Sequence, residues 1–255
     1  MTRSPVLRSP IARGVDALPR PQADWAYFFD VDGTLADIEL VPDDVRIAAE
    51  VRATIDRLYD VTSGAVALVS GRSVADIDRH YPGARMPLSG QHGVEWRDAD
   101  GVHRTSTVDT RRLDRARATL AEVVSRHPGL ILEDKGFSLA LHYRQRLPLA
   151  AYCHRLMKAV RDDIGADFSV QKGKRVVELK PAIGDKGTAM LQLMTLPTFA
   201  TRRPVFVGDD ITDENGFAAA NRLGGSSVKI GQGKTVAKWR LRNITELMTW
   251  LHKAR

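Results

Sequence analysis

Trp25-Ala26-Tyr27-Phe28-Phe29-Asp30-Val31-Asp32-Gly33-Thr34-Leu35 is an apolar run that ends in two carboxylates and a glycine. Unbroken apolar residues over this length predict a strand covered on both faces, as in a parallel sheet flanked by helices. In open α/β sheets ligands bind beyond the carboxyl ends of the strands, which is where Asp30 and Asp32 fall. The two acids divide naturally into two jobs. One is a carboxylate nucleophile able to form an aspartyl-phosphate, and the other a carboxyl that gives and takes a proton. Asp, Gly and Thr also mark Asx turns and helix caps, so the motif takes its meaning from the segments that follow.

Those segments repeat the same grammar. Residues 43–60 carry a helical pattern that puts Val45, Ala48, Ala49, Ile55 and Leu58 on one face. Ala65-Val66-Ala67-Leu68-Val69 is a second covered strand, ending at Ser70-Gly71-Arg72, and Pro204-Val205-Phe206-Val207 is a third, ending at Gly208-Asp209-Asp210. A short strand at 227–230 and a closing helix over 235–252 complete a parallel α/β core.

Between these pieces the period changes. Residues 109–127 read as a helix stopped by Pro128-Gly129, followed by a hairpin that turns at Glu133-Asp134-Lys135-Gly136. In its second strand Phe137, Leu139, Leu141 and Tyr143 share one face, and Ser138, Ala140 and His142 the other. A helix near 148–164 and a hairpin turning at Lys172-Gly173-Lys174 repeat the unit, which predicts an antiparallel sheet backed by helices on one face. Its open polar face can cover a ligand. The expected organisation is a leader over 1–22, a core over 23–98 and 182–255, and an inserted α+β cap over 99–181, with hinges near 96–101 and 181–184.

Composition narrows the function classes. The 255 residues are 43% hydrophobic and 27% charged, with no apolar stretch long enough to span a bilayer. Cys153 is the single cysteine, read as a helix-face residue, so an intrachain disulfide and a cysteine zinc site are both excluded and a cytoplasmic location is expected. The net charge of +7 is dispersed. The leader holds Arg3, Arg8, Arg13 and Arg20 against Asp16, and no dense basic block appears, which argues against a nucleic-acid partner. With Pro5, Pro10, Pro19 and Pro21 and no apolar core, the leader reads as a flexible extension rather than a secretory signal.

Four pieces then converge at strand ends or helix starts. Asp30 and Asp32 come first, and Ser70 and Gly71 offer a hydroxyl and a backbone N–H to a phosphate oxygen. Lys186, in Gly184-Asp185-Lys186-Gly187, brings a fixed positive charge. Asp209, Asp210 and Asp213 can hold a magnesium ion, which prefers oxygen ligands and would reduce the repulsion between a carboxylate nucleophile and a phosphate dianion.

The order Asp30-x-Asp32, Ser70, Lys186, Asp209/Asp213 resembles the haloacid dehalogenase superfamily. Within it, the chain resembles the trehalose-6-phosphate phosphatase family from about residue 23 to the C-terminus. The resemblance is carried by Phe29 to Leu35, Val69-Ser70-Gly71-Arg72, Gly90-Gln91-His92-Gly93, Leu132-Glu133-Asp134-Lys135-Gly136, Ala140-Leu141-His142-Tyr143-Arg144, Val177-Glu178-Leu179-Lys180-Pro181 and Val207 to Glu214. Val31 replaces the aromatic or larger residue that many relatives carry between the acids.

This resemblance implies a Rossmann-like core with a mobile cap, and Mg²⁺-dependent hydrolysis of trehalose 6-phosphate. Asp30 would be the nucleophile and Asp32 the acid/base, with Lys186 and Ser70 holding phosphate. Asp30, the Asp32 carbonyl and Asp209 would ligate the metal, and Asp213 would support them. The substrate contacts implied are Asp30, Val31, Asp32, Ser70, Gly71, Arg72, His92, Glu133, Lys135, His142, Arg144 and Glu178. On spacing alone, Glu133 and Lys135 equally suit an exposed hairpin turn, Glu178 a solvated strand, and Arg72 a helix cap or an acid's partner. Another capped sugar-phosphate phosphatase shares the core chemistry, and a non-catalytic sugar-phosphate sensor would not need both Asp30 and Asp32.

Overall fold

A computed structural model describes residues 11–39, 41 and 44–254. The apolar runs form the middle of a nine-stranded sheet. In chain order its elements begin with β1 (Ala12–Arg13), β2 (Trp25–Phe29), α1 (Ala49–Val61), β3 (Val66–Val69), α2 (Val74–His80), β4 (Leu88–Gly90), β5 (Glu95–Arg97) and β6 (His103–Thr105). The insert then supplies α3 (Arg111–Arg126), β7 (Ile131–Asp134), β8 (Leu139–His142), α4 (Ala150–Ile164), β9 (Phe168–Gly173) and β10 (Val176–Pro181). The chain returns to the large sheet through α5 (Lys186–Leu193), β11 (Arg203–Gly208), α6 (Glu214–Arg222), β12 (Ser226–Ile230), β13 (Trp239–Leu241) and α7 (Ile244–Leu251).

The large sheet runs β1-β13-β12-β11-β2-β3-β4-β5-β6, parallel from β1 to β4 and antiparallel beyond. Its central strands are apolar on both sides because both sides are covered. On β2, Trp25, Tyr27 and Phe29 join the cluster that contains Ile55, Leu58 and Trp250, while Ala26 and Phe28 join the one with Met190, Phe199 and Phe217. β11 divides in the same way, with Val205 and Val207 on the first side and Phe206 on the second. β2 and β11 are neighbours in register Phe28↔Phe206, so Asp30 and Asp209 emerge side by side.

The insert forms a separate four-stranded antiparallel sheet, β7-β8-β10-β9. One face packs on α3 and α4 through Leu139, Leu141, Val177 and Leu179 against Leu113, Leu120, Cys153 and Met157. The other carries Ser138, His142 and Glu178, the polar face expected from the alternation in the hairpin. Among the described residues, no helix is long and apolar enough to cross a membrane.

Four expectations change. The helix over 43–60 begins only at Ala49: Val45 and Ile47 are buried in the approach to it, and Ala48 and Ala49 are exposed because the inward face is built from Val51, Ile55 and Leu58. The closing helix over 235–252 is a strand followed by a shorter helix, whose start Asn243 fixes by accepting from the Glu246 N–H. The core sheet extends past residue 98, since β6 pairs with β5, and the expected start of the cap falls inside that hairpin.

The leader divides. Residues 1–10 lie outside the described residues, while 11–22 are docked: β1 pairs with β13, Leu18 is buried in the main core, and Trp250 Nε1 donates to Pro19 O at 2.8 Å. Leu18→Ala should therefore lower stability by about 2 kcal/mol, the low end for a buried leucine truncated near the surface. Urea denaturation measures this, and a midpoint equal to that of the parent protein would show that the segment does not dock.

Candidate active site

β2, β11 and α5 deliver the charged groups. Asp30 follows β2 and is 3% exposed. Lys186 opens α5, whose start is held by a reciprocal cap between Asp185 and Thr188. Its ammonium lies 2.7 Å from Asp30 Oδ1 and 2.7 Å from Asp213 Oδ1. The second Asp213 oxygen accepts the backbone N–H groups of Asp209 (2.9 Å) and Asp210 (2.8 Å), so Asp213 braces the turn that carries Asp209. Gly33 makes the close approach possible. It has φ of +79°, and a Cβ there would sit 2.1 Å from Asp209 Oδ2.

Asp30, Asp209 and Asp213 offer carboxylate oxygens within 4.8 Å of one another. Crowding shows in the pKa directions of Asp30 and Asp209. Burial and then the Asp213 carboxylate push Asp30 well above the usual carboxylate range, against the pull of Lys186. Burial, opposed by Lys174 and reinforced by Asp213, pushes Asp209 up to about 6. Burial alone would lower Lys186, but Asp213 and Asp30 hold it charged and raise its pKa. Two ammoniums, Lys186 on Asp30 and Asp213 and the half-exposed Lys174 on Asp209, thus face three buried carboxylates, and Asp209 Oδ1 is buried without a hydrogen-bond partner among the described residues. This oxygen-rich, charge-deficient set fits a divalent cation.

The remaining core residues lie around this cluster. Asp32 stands outside the three-carboxylate cluster, because Arg72 grips it through Nε–Oδ2 and Nη2–Oδ1 contacts of 2.8 Å each. Burial would raise Asp32, yet Arg72 outweighs it and holds the carboxyl below its ordinary value. Arg72 is therefore an acid's partner, and it also pairs with Asp76. Ser70 is fully buried and outside the cleft lining, its hydroxyl accepting from Arg72 N at 3.2 Å. The Val31 side chain belongs to the main core, and its carbonyl accepts from Leu35 N at 2.9 Å.

From the other side, the sheet register places Glu133, Ala140, Glu178 and Gln171 in one row, each directly opposite the next. His142 Nε2 lies 2.7 Å from Glu133 Oε2. Glu178 Oε1 receives Ser138 Oγ (2.7 Å) and Lys135 Nζ (3.2 Å), and Lys135 also reaches Gly71 O at 3.0 Å. Burial works against the Glu178 charge, but Lys135 and the contacts with His92 and Ser138 hold its pKa far below the ordinary glutamate value. Arg144 donates to Glu39 O in the loop after β2. Gly71, Arg72, His92, Glu133, Lys135, His142, Arg144 and Glu178 line the same cleft as Asp30, Asp32, Lys186 and Asp209.

Two lysines join the site that the sequence reading did not single out. Lys174, in the turn between β9 and β10, pairs with Asp209, and its backbone N–H donates to Asp210 Oδ2 at 3.2 Å. Lys229 on β12 is 4% exposed and donates to Asp209 O at 2.6 Å and Asp210 O at 3.2 Å, tying down the acidic turn from below. The signal for Lys229 was available in Ser227-Val228-Lys229-Ile230, where a lysine interrupts a strand short enough to be wholly buried.

Known proteins resemble this chain over most of its length. A family model described as trehalose-phosphatase matches residues 28–244. The chain is 42% identical over 234 residues to the trehalose-6-phosphate phosphatase of Escherichia coli (strain K12), covering 91% of this chain and 87% of that protein. It is 39% identical over 218 residues to a probable trehalose-phosphate phosphatase of Sinorhizobium fredii, covering 85% and 82%. The fold matches the C-terminal domain of C. albicans trehalose-6-phosphate phosphatase with a TM-score of 0.81 at 23% identity, over 90% of this chain and 91% of that one. With the carboxylates, the buried lysine and the facing polar sheet in place, this chain belongs to the trehalose-phosphatase family.

Proposed function

We propose that the protein hydrolyses trehalose 6-phosphate to trehalose and inorganic phosphate through an aspartyl-phosphate on Asp30, with Mg²⁺ held by Asp30, Asp209 and the Asp32 carbonyl and braced by Asp213. The observation that carries the reading is the opposition of two surfaces: Asp30, Lys186 and Asp209 on the core and Glu133, Glu178 and Gln171 of one row on the cap line the same cleft. The first suits a phosphate, and the second presents carboxylates and amides to sugar hydroxyls.

In the first half-reaction an Asp30 oxygen bonds to phosphorus as the bond from phosphorus to the sugar oxygen breaks, and Asp32 gives that oxygen its proton. In the second, Asp32 takes a proton from water as the water bonds to phosphorus, and the bond to Asp30 breaks to return its carboxylate. Arg72 favours the ionised Asp32, the form needed in the second half. Donation in the first half requires Asp32 to carry a proton and leave that pairing. Lys186 holds Asp30 in place and offsets charge on the phosphoryl oxygens. Mg²⁺, when bound, supplies charge neutralisation between the two anions that must meet.

The cleft holds about 110 Å³, against roughly 300–1,000 Å³ for typical small-molecule sites. A disaccharide phosphate therefore enters only when the cap lifts. The core groups serve any phosphate monoester, so discrimination belongs to the cap.

Three outcomes are expected. Asp30→Asn should lower phosphate release by at least about a thousandfold without lowering Tm, since burial and the neighbouring acids already make that carboxylate costly to ionise; turnover near that of the parent protein would refute the nucleophile. Asp209→Asn should raise the Mg²⁺ concentration giving half-maximal activity by at least about tenfold, read together with the Mg²⁺-induced shift in Tm. Glu133→Ala and Glu178→Ala should lose kcat/KM for trehalose 6-phosphate about a hundredfold more than for a small aryl phosphate. Equal losses would remove cap recognition, and a parent enzyme preferring another sugar phosphate would replace the substrate while leaving the chemistry.

A further inference from the structure

His92 belongs to the core, yet its ring ends on the cap. It follows β4 in a turn in which Gln91 (φ +45°) and His92 (φ +58°) both adopt the left-handed backbone, a costly conformation for residues with a side chain. Two hydrogen bonds stitch that turn to the loop after β3: Gln91 N donates to Arg72 O (2.8 Å) and His92 N to Ser70 O (3.1 Å). The ring then lies over Gly71, where a Cβ would stand 2.8 Å from Nε2. From there Nε2 reaches Glu178 Oε2 at 3.1 Å, with Gln171 Nε2 at 3.0 Å.

The other Glu178 oxygen is already taken by Ser138 and Lys135, both from the cap. Glu133, by contrast, is held by His142 of its own sheet. Glu178 is thus a cap carboxylate with one edge fixed by the cap and the other by the core. Glu178 Oε2 can only accept, so this contact is made by the tautomer with its proton on Nε2, and the Gln171 amide beside it is then assigned with its oxygen toward that N–H.

We infer that His92 is a positioning residue: anchored to the Ser70-Gly71-Arg72 loop, it fixes the Oε2 edge of Glu178 when the cap closes and so sets the distance between phosphate and sugar. The strained turn places a core donor at a spot that only the closed cap brings into use. A phosphate ester too small to touch Glu178 gains nothing from this contact, whereas a sugar phosphate spans both ends of it. The inference rests on the reading of Glu178 as a sugar-facing group.

The test uses the full-length protein and two replacements. Asparagine tolerates the left-handed backbone but is too short to reach Glu178; glutamine, already present at Gln91 in the same conformation, can present an amide N–H at about the same reach. Kinetics are measured on the sugar phosphate that the parent enzyme prefers and on an aryl phosphate, with Tm as a check on folding. His92→Asn should raise KM for the sugar phosphate at least tenfold more than for the aryl ester, and His92→Gln should recover most of that loss. In a Glu178→Ala background, His92→Asn should add no further loss of sugar-phosphate kcat/KM. Equal effects on both substrates, a glutamine variant no better than asparagine, or additive losses in the double variant would each overturn the inference. Failure of trehalose 6-phosphate as the preferred substrate would strike the functional reading alone, since the comparison runs on whichever sugar phosphate is preferred.

Discussion

A single buried ammonium organises this molecule's chemistry. Lys186 bridges Asp30 and Asp213 at the mouth of the parallel sheet, and both carboxylates would be prohibitively costly to bury without it. Its position is set by a capped helix start, Asp30's by a strand buried on both faces, and Asp213's by the turn after β11. These elements are far apart in sequence and adjacent in space only because β2 and β11 are neighbours. The rest of the core can be understood as what holds that adjacency rigid.

The cap answers with a different economy. Its carboxylates are placed by strand register, in which each directly opposed pair shares a face, and its apolar side is consumed by α3 and α4. Lys135, Lys174 and Arg144 then cross to the core and meet a backbone carbonyl, a carboxylate and a second carbonyl. These three crossings are polar, which suits the opening of the cap proposed above.

What could be read from the chain depended on whether the signal was local. Apolar runs ending in Asp30, Ser70 and Asp209 announced the strands, and the alternation from Phe137 to Tyr143 announced a two-faced sheet, because both patterns are complete within a few residues. Pairings were not legible. Nothing near Asp32 says that Arg72 will grip it, and nothing near Ser70 says that its hydroxyl will turn to a backbone N–H. Similarly, Trp239 and Leu241 share a helical spacing with their neighbours, and only the exposed edge of β12 makes them a strand. The leader misled for a related reason: Leu18 joins the main core and the carbonyl of Pro19 accepts from Trp250 in α7, more than two hundred residues away.

The two outer strands of the large sheet have a consequence for the molecule in a crowded solution. An uncovered sheet edge is a row of unpaired backbone donors and acceptors that invites another chain to add on. Here β1 contributes only two residues at one margin, and β6 only three at the other, bearing His103 and Arg104. Each margin is too short and, at β6, too polar to template a foreign strand. The segment that docks through Leu18 thus does more than pack: it supplies the last strand at one margin of the large sheet and leaves β13 paired on both sides.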